Sequence, residues 1–192
     1  MNLGLVTSFI IAALLMLSIV SMNLRMSQST QDVSLHSMSQ NHVSAISDLI
    51  QYDFPKIGYD ASGPISNPIT VAKEDEIQFE ANLDNSGSTE NVIWRLESGS
   101  LAGSNNADHR SLVRIEDGDS QEINVGVTRF EIRYYSFDSS APLSTPVTGT
   151  NLEDINRIEV ILEVQPREGT GRNNQFTTSS WHRVFTPPNI NL

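Results

Sequence analysis

The sequence contains no cysteine among its 192 residues, and it is short of basic side chains. Without cysteine the chain has no disulfides, thiol nucleophiles or thiolate metal ligands. Its 12 Lys and Arg against 23 Asp and Glu give a net charge of −11. Nucleic acid is therefore excluded as a natural partner, because neutralising phosphates requires a basic surface. Most of the acidity lies from Lys56 onward, in the part that reads as a soluble domain.

Charge is also missing from the start of the chain, where no charged side chain precedes Arg25. Leu3 to Met22 are 20 uncharged residues, which as a helix would measure about 30 Å, the thickness of a bilayer core. A secretory signal usually has a basic start and a shorter apolar run. We therefore expect residues 1–24 to be a retained transmembrane helix, with a cleaved signal as the alternative. Arg25 alone favours a cytoplasmic C-terminus.

Small residues recur at one face of this apolar run. Gly4, Ser8 and Ala12 are spaced at i, i+4 and i+8. Small residues at this spacing let two membrane helices approach closely. The pattern predicts a helix–helix contact, with chance occurrence as the alternative.

The helix is expected to continue beyond the apolar run, because neither Gly nor Pro occurs between Arg25 and Pro55. Residues 25–54 would form its amphipathic half, and Pro55 would end it. An apolar stripe at steps of three and four is expected to pack on the following domain. It comprises Leu35, Met38, Ala45, Leu49 and Tyr52, with His42 packed or at its rim and Ile46 and Ile50 on its shoulder.

Residues 55–192 show the alternation of antiparallel strands with one buried face. Examples are "EIQFEANL", "INRIEVILEV" and "SLVRIED". In the last of these, Val113 and Ile115 are taken as the apolar positions. The sequence therefore predicts an α+β fold, in which a long N-terminal helix packs on an antiparallel β-sheet.

Motifs for catalysis are not found in the sequence: it has no nucleophile motif, phosphate-binding loop or zinc spacing, and its four histidines are scattered. Two acidic loops could supply the oxygen ligands that calcium prefers. The candidates are Asp84, Asn85 and Glu90 in one loop and Glu116, Asp117 and Asp119 in the other. Asp and Asn also favour turns for local reasons, which is the alternative explanation. No other cofactor is expected.

Four features together resemble the type IV pilin-like superfamily, in particular the minor pseudopilins of type II secretion and the minor pilins of the pilus tip. An apolar N-terminal helix runs into a polar half, and the helix closes with "ISDLIQYDFPKIGYD". "VGVTRFEIRYYSFD" is similar to the family's mid-domain strand, and "FTPPNINL" to its terminal strand. Two family features are not matched. The family's short basic leader ending in Gly would here be only "MNLG", which has no basic residue, and the family's early Glu is missing because no acidic residue precedes Asp32.

The resemblance implies a non-enzymatic structural subunit of a pilus-like or pseudopilus assembly, as a minor or tip component. It implies contacts with other pilin-like subunits through the N-terminal helix. It also implies a single pass through the inner membrane with the C-terminal domain periplasmic or extracellular, which overrides Arg25. The alternative from the residues alone is a solitary membrane-tethered binding domain.

Overall fold

One helix dominates the N-terminal third of the chain. The computed structural model describes residues 3–169 and 175–190. Helix α1 runs without a break over Leu3–Asp53, 51 residues and about 77 Å. A single 3-10 turn, Phe54–Lys56, follows it and contains the proline. The continuous helix and its end beside Pro55 confirm the sequence prediction, because a proline ring cannot continue the helical hydrogen-bond ladder.

Seven antiparallel strands form one sheet, in which each strand pairs with its sequence neighbours. The α+β prediction is confirmed. The strands are β1 Ile69–Ala72, β2 Glu76–Ala81, β3 Glu90–Ser100, β4 Arg110–Glu116, β5 Asp119–Tyr135, β6 Arg157–Val164 and β7 Ser179–Phe185. A short 3-10 helix, Gly149–Leu152, lies between β5 and β6.

The sheet is strongly curled around the end of the helix. The Phe54 ring lies 6.0 Å from that of Phe79 on β2 and 5.2 Å from that of Phe185 on β7, measured between centroids. In a flat sheet these two strands would be about 24 Å apart. The turn between β1 and β2 reaches across to β5, where the Ile132 amide donates to the Glu74 carbonyl at 2.7 Å. The curl therefore wraps a single core around the C-terminal turns of α1.

The face of α1 that packs on the sheet differs from the predicted stripe. The helix contacts β5, β6 and β7. Its buried residues are Ser39, Val43, Ile46, Ser47, Ile50 and Asp53. Of the stripe, Met38, Ala45, Leu49 and Tyr52 are exposed, and Leu35 and His42 are half-buried.

The packed face of α1 is displaced by one residue from the predicted stripe. From Met38 onward, each stripe residue lies one position before a buried residue, so the true face is rotated by about 100°. The pair Leu49 and Ile50 shows this directly, since Leu49 is 40% exposed and Ile50 is 0% exposed. The residues first assigned to the shoulder therefore form the centre of the helix–sheet contact.

Replacing Ile50 and Leu49 in turn tests the rotation. Ile50→Ala should lower the free energy of unfolding by about 2–5 kcal/mol, because it leaves a cavity in a fully buried site. Leu49→Ala should cost about 1 kcal/mol or less, as is usual for exposed positions. Thermal or denaturant melts of the two variants in the same detergent provide the comparison. Equal losses would show that the stripe is packed after all.

Truncation tests which part of α1 belongs to the domain. Residues 26–192 should fold as a soluble domain, because the first fully buried helix residue is Ser39. Residues 54–192 should aggregate, because the concave face that covers Ile46 and Ile50 would be exposed to water. Gel filtration and circular dichroism of both fragments measure this. A monomeric, cooperatively melting 54–192 fragment would contradict the packing described above.

Candidate functional site

A buried ion pair joins the end of α1 to the middle of the sheet. Asp53, the last residue of α1, has no exposed surface, and Arg114 on β4 is 5% exposed. The guanidinium binds the carboxylate with two bonds: Arg114 Nε donates to Asp53 Oδ2 at 2.7 Å and a terminal nitrogen donates to Oδ1 at 3.0 Å. Bidentate pairs of this kind fix direction as well as distance.

The pair is completed by two further partners. Trp94 on β3, fully buried, donates its indole Nε1 hydrogen to Asp53 Oδ2 at 2.9 Å. Glu116 accepts a hydrogen bond from Arg114 at 2.5 Å. The bonds to Asp53 and then Glu116 raise the pKa of Arg114 above its usual value despite burial. The carboxylate of Asp53 thus has three donors, and the arrangement is structural, because buried charges require such partners to be tolerated.

Sequence reasoning missed this site because both residues are charged. Asp53 continues the buried series Ile46 and Ile50 at helical spacing, but a search for apolar stripes passes over it. On β4 the inward positions are Leu112 and Arg114, not Val113 and Ile115 as predicted. Val113 is 5% exposed but lies outside the main core, whereas Leu112 belongs to it. The sequence did contain one indication: Arg114 is two residues from the apolar Leu112 and therefore lies on the same face of the strand.

Every described residue of the apolar half of α1 is exposed. This half has the length and composition of a membrane-spanning helix, and none of that stretch is buried against the rest of the chain. Gly4, Ser8 and Ala12 line one shallow groove on it, together with Leu5 and Phe9. The Ser8 hydroxyl donates to the Gly4 carbonyl at 2.9 Å, so its polar group is satisfied within the helix. The proposed helix–helix contact remains a prediction.

Between the apolar half and the domain, α1 is a bare stalk. Every residue from 23 to 34 is exposed. From Met22 to Ser39, the first buried position, the helix rises about 25 Å. Apolar side chains on this stretch, such as Met26 and Val33, are 67% exposed each. The globular part is therefore held at a distance from the apolar half.

Leu35, Met38 and His42 do not pack in the core but line a groove. The opposite wall is formed by the start of β5 and the chain after β6, including Val125 and Arg167. The groove has a volume of about 430 Å³. Arg167 donates to the main-chain oxygen of Asn124 at 2.8 Å, which joins the two segments of this opposite wall. The N-terminal part of the predicted stripe thus borders this groove.

The two calcium candidates do not converge on a metal position. Glu90 is buried and accepts a hydrogen bond from the Leu83 amide at 2.6 Å, so its carboxylate serves the main chain. The Asp84 carboxylate accepts from the Ser86 amide within its own turn. No group of three or more His, Asp or Glu that could hold a metal occurs among the described residues.

The second acidic loop is likewise used by the fold. Asp117 accepts a hydrogen bond from the Asn91 amide at 2.8 Å, and Glu116 is bound to Arg114. Asn85 accepts from the Tyr59 hydroxyl in the first loop. Asp119 is exposed. These contacts favour the turn-forming explanation of both loops.

One histidine is fully buried. His109 lies before β4 with no exposed surface, and its Nδ1 is 2.7 Å from the Ser104 hydroxyl. Burial, followed by the charge of Arg167, lowers the pKa of His109, which the carboxylate of Asp108 and a hydrogen bond to the Gln165 main chain only partly offset. The imidazole is therefore neutral at pH 7.

This histidine should make stability depend on pH. Unfolding frees an imidazole of ordinary pKa near 6.5, so below that pH the unfolded state binds more protons and stability falls. The free energy of unfolding should decrease from about pH 7 toward pH 5. The variant His109→Gln should show a smaller decrease over the same range. Melts of both proteins at several pH values measure it, and identical slopes would contradict the assignment.

Comparisons of the chain with protein-family models, with curated protein sequences and with solved structures find no significant match.

Proposed function

We propose that this protein is a non-enzymatic, membrane-anchored structural subunit of a pilus-like or type II secretion pseudopilus assembly, as a minor or tip component. The observation that carries the proposal is the division of α1. Its N-terminal half is apolar and is not buried against anything in residues 3–169 and 175–190, while its C-terminal turns are built into the core of the domain. Such a helix is suited to joining a neighbour without disturbing its own domain.

The long helix packed on one antiparallel sheet is compatible with a pilin-like fold. Under this proposal the apolar half lies in the inner membrane and the domain faces the periplasm or the outside. Other pilin-like subunits would contact the face bearing Gly4, Ser8 and Ala12. The buried cluster of Asp53, Trp94 and Arg114 is occupied by structural bonds, which suits a subunit rather than an enzyme.

The solitary tethered domain remains the second candidate, and the bare stalk supports it. A domain held about 25 Å beyond the apolar half can reach a ligand without any assembly. The two candidates differ in whether the apolar half has protein neighbours, and this difference can be measured.

Site-directed cross-linking in the native membrane separates them. A photoreactive side chain placed at Ser8 should form discrete adducts with proteins that carry similar apolar N-terminal helices. The same group at Ile10 lies about 160° away around the helix, and its depth in the membrane differs from that of Ser8 by less than one turn. It should give several-fold less adduct. Mass spectrometry of the adducts identifies the neighbours.

If the probes at Ser8 and Ile10 form adducts only with lipid, and to the same extent, the assembly is contradicted and the solitary tethered domain is favoured. Adducts that form at Ile10 in preference to Ser8 would keep the assembly but move the contact to the other helix face.

A further inference from the structure

The two edges of the sheet are protected to different degrees. The first edge, β1, has only four residues, contains a register shift, and is capped by a bridge from Ala72 to Val147. The last edge, β7, has seven residues paired with β6 in unbroken register. Short length and bulges are two of the devices that block an edge, and β7 has neither.

The main chain of β7 is open on its outer side. Within residues 3–169 and 175–190, its main-chain groups bond only to β6. In an antiparallel edge strand, alternate amides and carbonyls point away from the sheet. The strand contains neither proline nor lysine, and the side chains of Ser180, His182, Arg183 and Val184 are exposed. It therefore offers a regular row of donors and acceptors to another extended segment.

Arg183 on this edge carries a charge that the described part of the chain does not neutralise. It binds the neutral side-chain amide of Gln51 on α1. By contrast, Arg95 pairs with Glu97, and Arg129 and Arg133 pair with Glu131. Arg110 and Arg157 also lack a carboxylate among the described residues, but each donates to a main-chain carbonyl of the domain. Arg183 differs because it lies on an edge strand, where a partner's carboxylate can reach it.

We propose that β7 accepts an extended segment of a partner protein as an eighth strand, and that this segment carries a carboxylate opposite Arg183. On the same face Trp181 and Phe185 flank Arg183 at two-residue spacing, because alternate strand residues share a face. The matching segment therefore alternates, with apolar side chains on either side of its acid. This docking mode is β-strand addition, in which main-chain bonds give affinity and alternate side chains give specificity.

A second copy of β7 is a poor occupant of the same edge. Antiparallel pairing of two identical strands around their centres would bring Arg183 of one opposite Trp181 of the other. Since β7 contains no Asp or Glu, a second copy would supply no carboxylate to Arg183. The inference is independent of the proposed assembly function, because it concerns the domain and not the apolar helix.

Hydrogen exchange of the full chain in lipid nanodiscs tests the proposal, with two synthetic peptides as probes. The first is TVTETVT, blocked at both ends, and the second is TVTKTVT. The acidic peptide should slow exchange in residues 179–185 and leave β3 unchanged. The basic peptide should bind up to about fivefold more weakly, the range of cross-strand charge effects. In Arg183→Glu the order of the two peptides should reverse, whereas in the control Arg25→Glu it should not.

Three results would overturn the proposal. The first is unchanged exchange in 179–185 with either peptide at millimolar concentration. The second is equal slowing by both peptides that Arg183→Glu does not alter. The third is slowing that appears without peptide as the protein concentration rises, which would assign the edge to a second copy. Unchanged exchange of β5 and β6 in Arg183→Glu verifies that the variant is folded.

Discussion

The buried pair of Asp53 and Arg114 is the constraint on which the arrangement of this protein depends. A carboxylate removed from water must face its donors, and here the donors lie on β3 and β4. Asp53 ends α1, so its direction fixes the rotation of the helix about its axis. Ile46 and Ile50 then point into the sheet, and Leu49 and Tyr52 point away from it.

The curl of the sheet is also centred on the end of α1. Phe54, next to the ion pair, is held between β2 and β7, strands that a flat sheet would keep far apart. The core is thus assembled around the last turns of α1. The apolar half of the helix is not buried against this core in the described part of the chain. Under the proposed function, anchoring, spacing and folding are separate tasks of successive parts of one helix.

The sequence predicts those parts of the fold that rest on local pattern. An uncharged apolar run followed by a polar stretch without Gly or Pro predicted α1, Pro55 predicted its end, and two-residue alternation predicted the antiparallel sheet. The face of α1 was predicted one residue away from its true place, since counting apolar residues cannot anticipate a buried Asp53. Arg114 was missed for the same reason. Asp53 and Arg114 lie in phase with their buried neighbours, but the sequence does not show that they pair, because pairing between distant segments depends on the tertiary structure.

The most direct test of this account is a double-mutant cycle on the full chain in detergent, with Asp53→Leu, Arg114→Met and the two combined. Each single change should lower the free energy of unfolding by about 3–5 kcal/mol, because it leaves one buried charge without its partner. The double variant should lose less than the sum of the two, with a coupling of about 2 kcal/mol or more. Single losses below about 1 kcal/mol that simply add would contradict the account, and would show that Val43, Ile46 and Ile50 orient the helix by themselves.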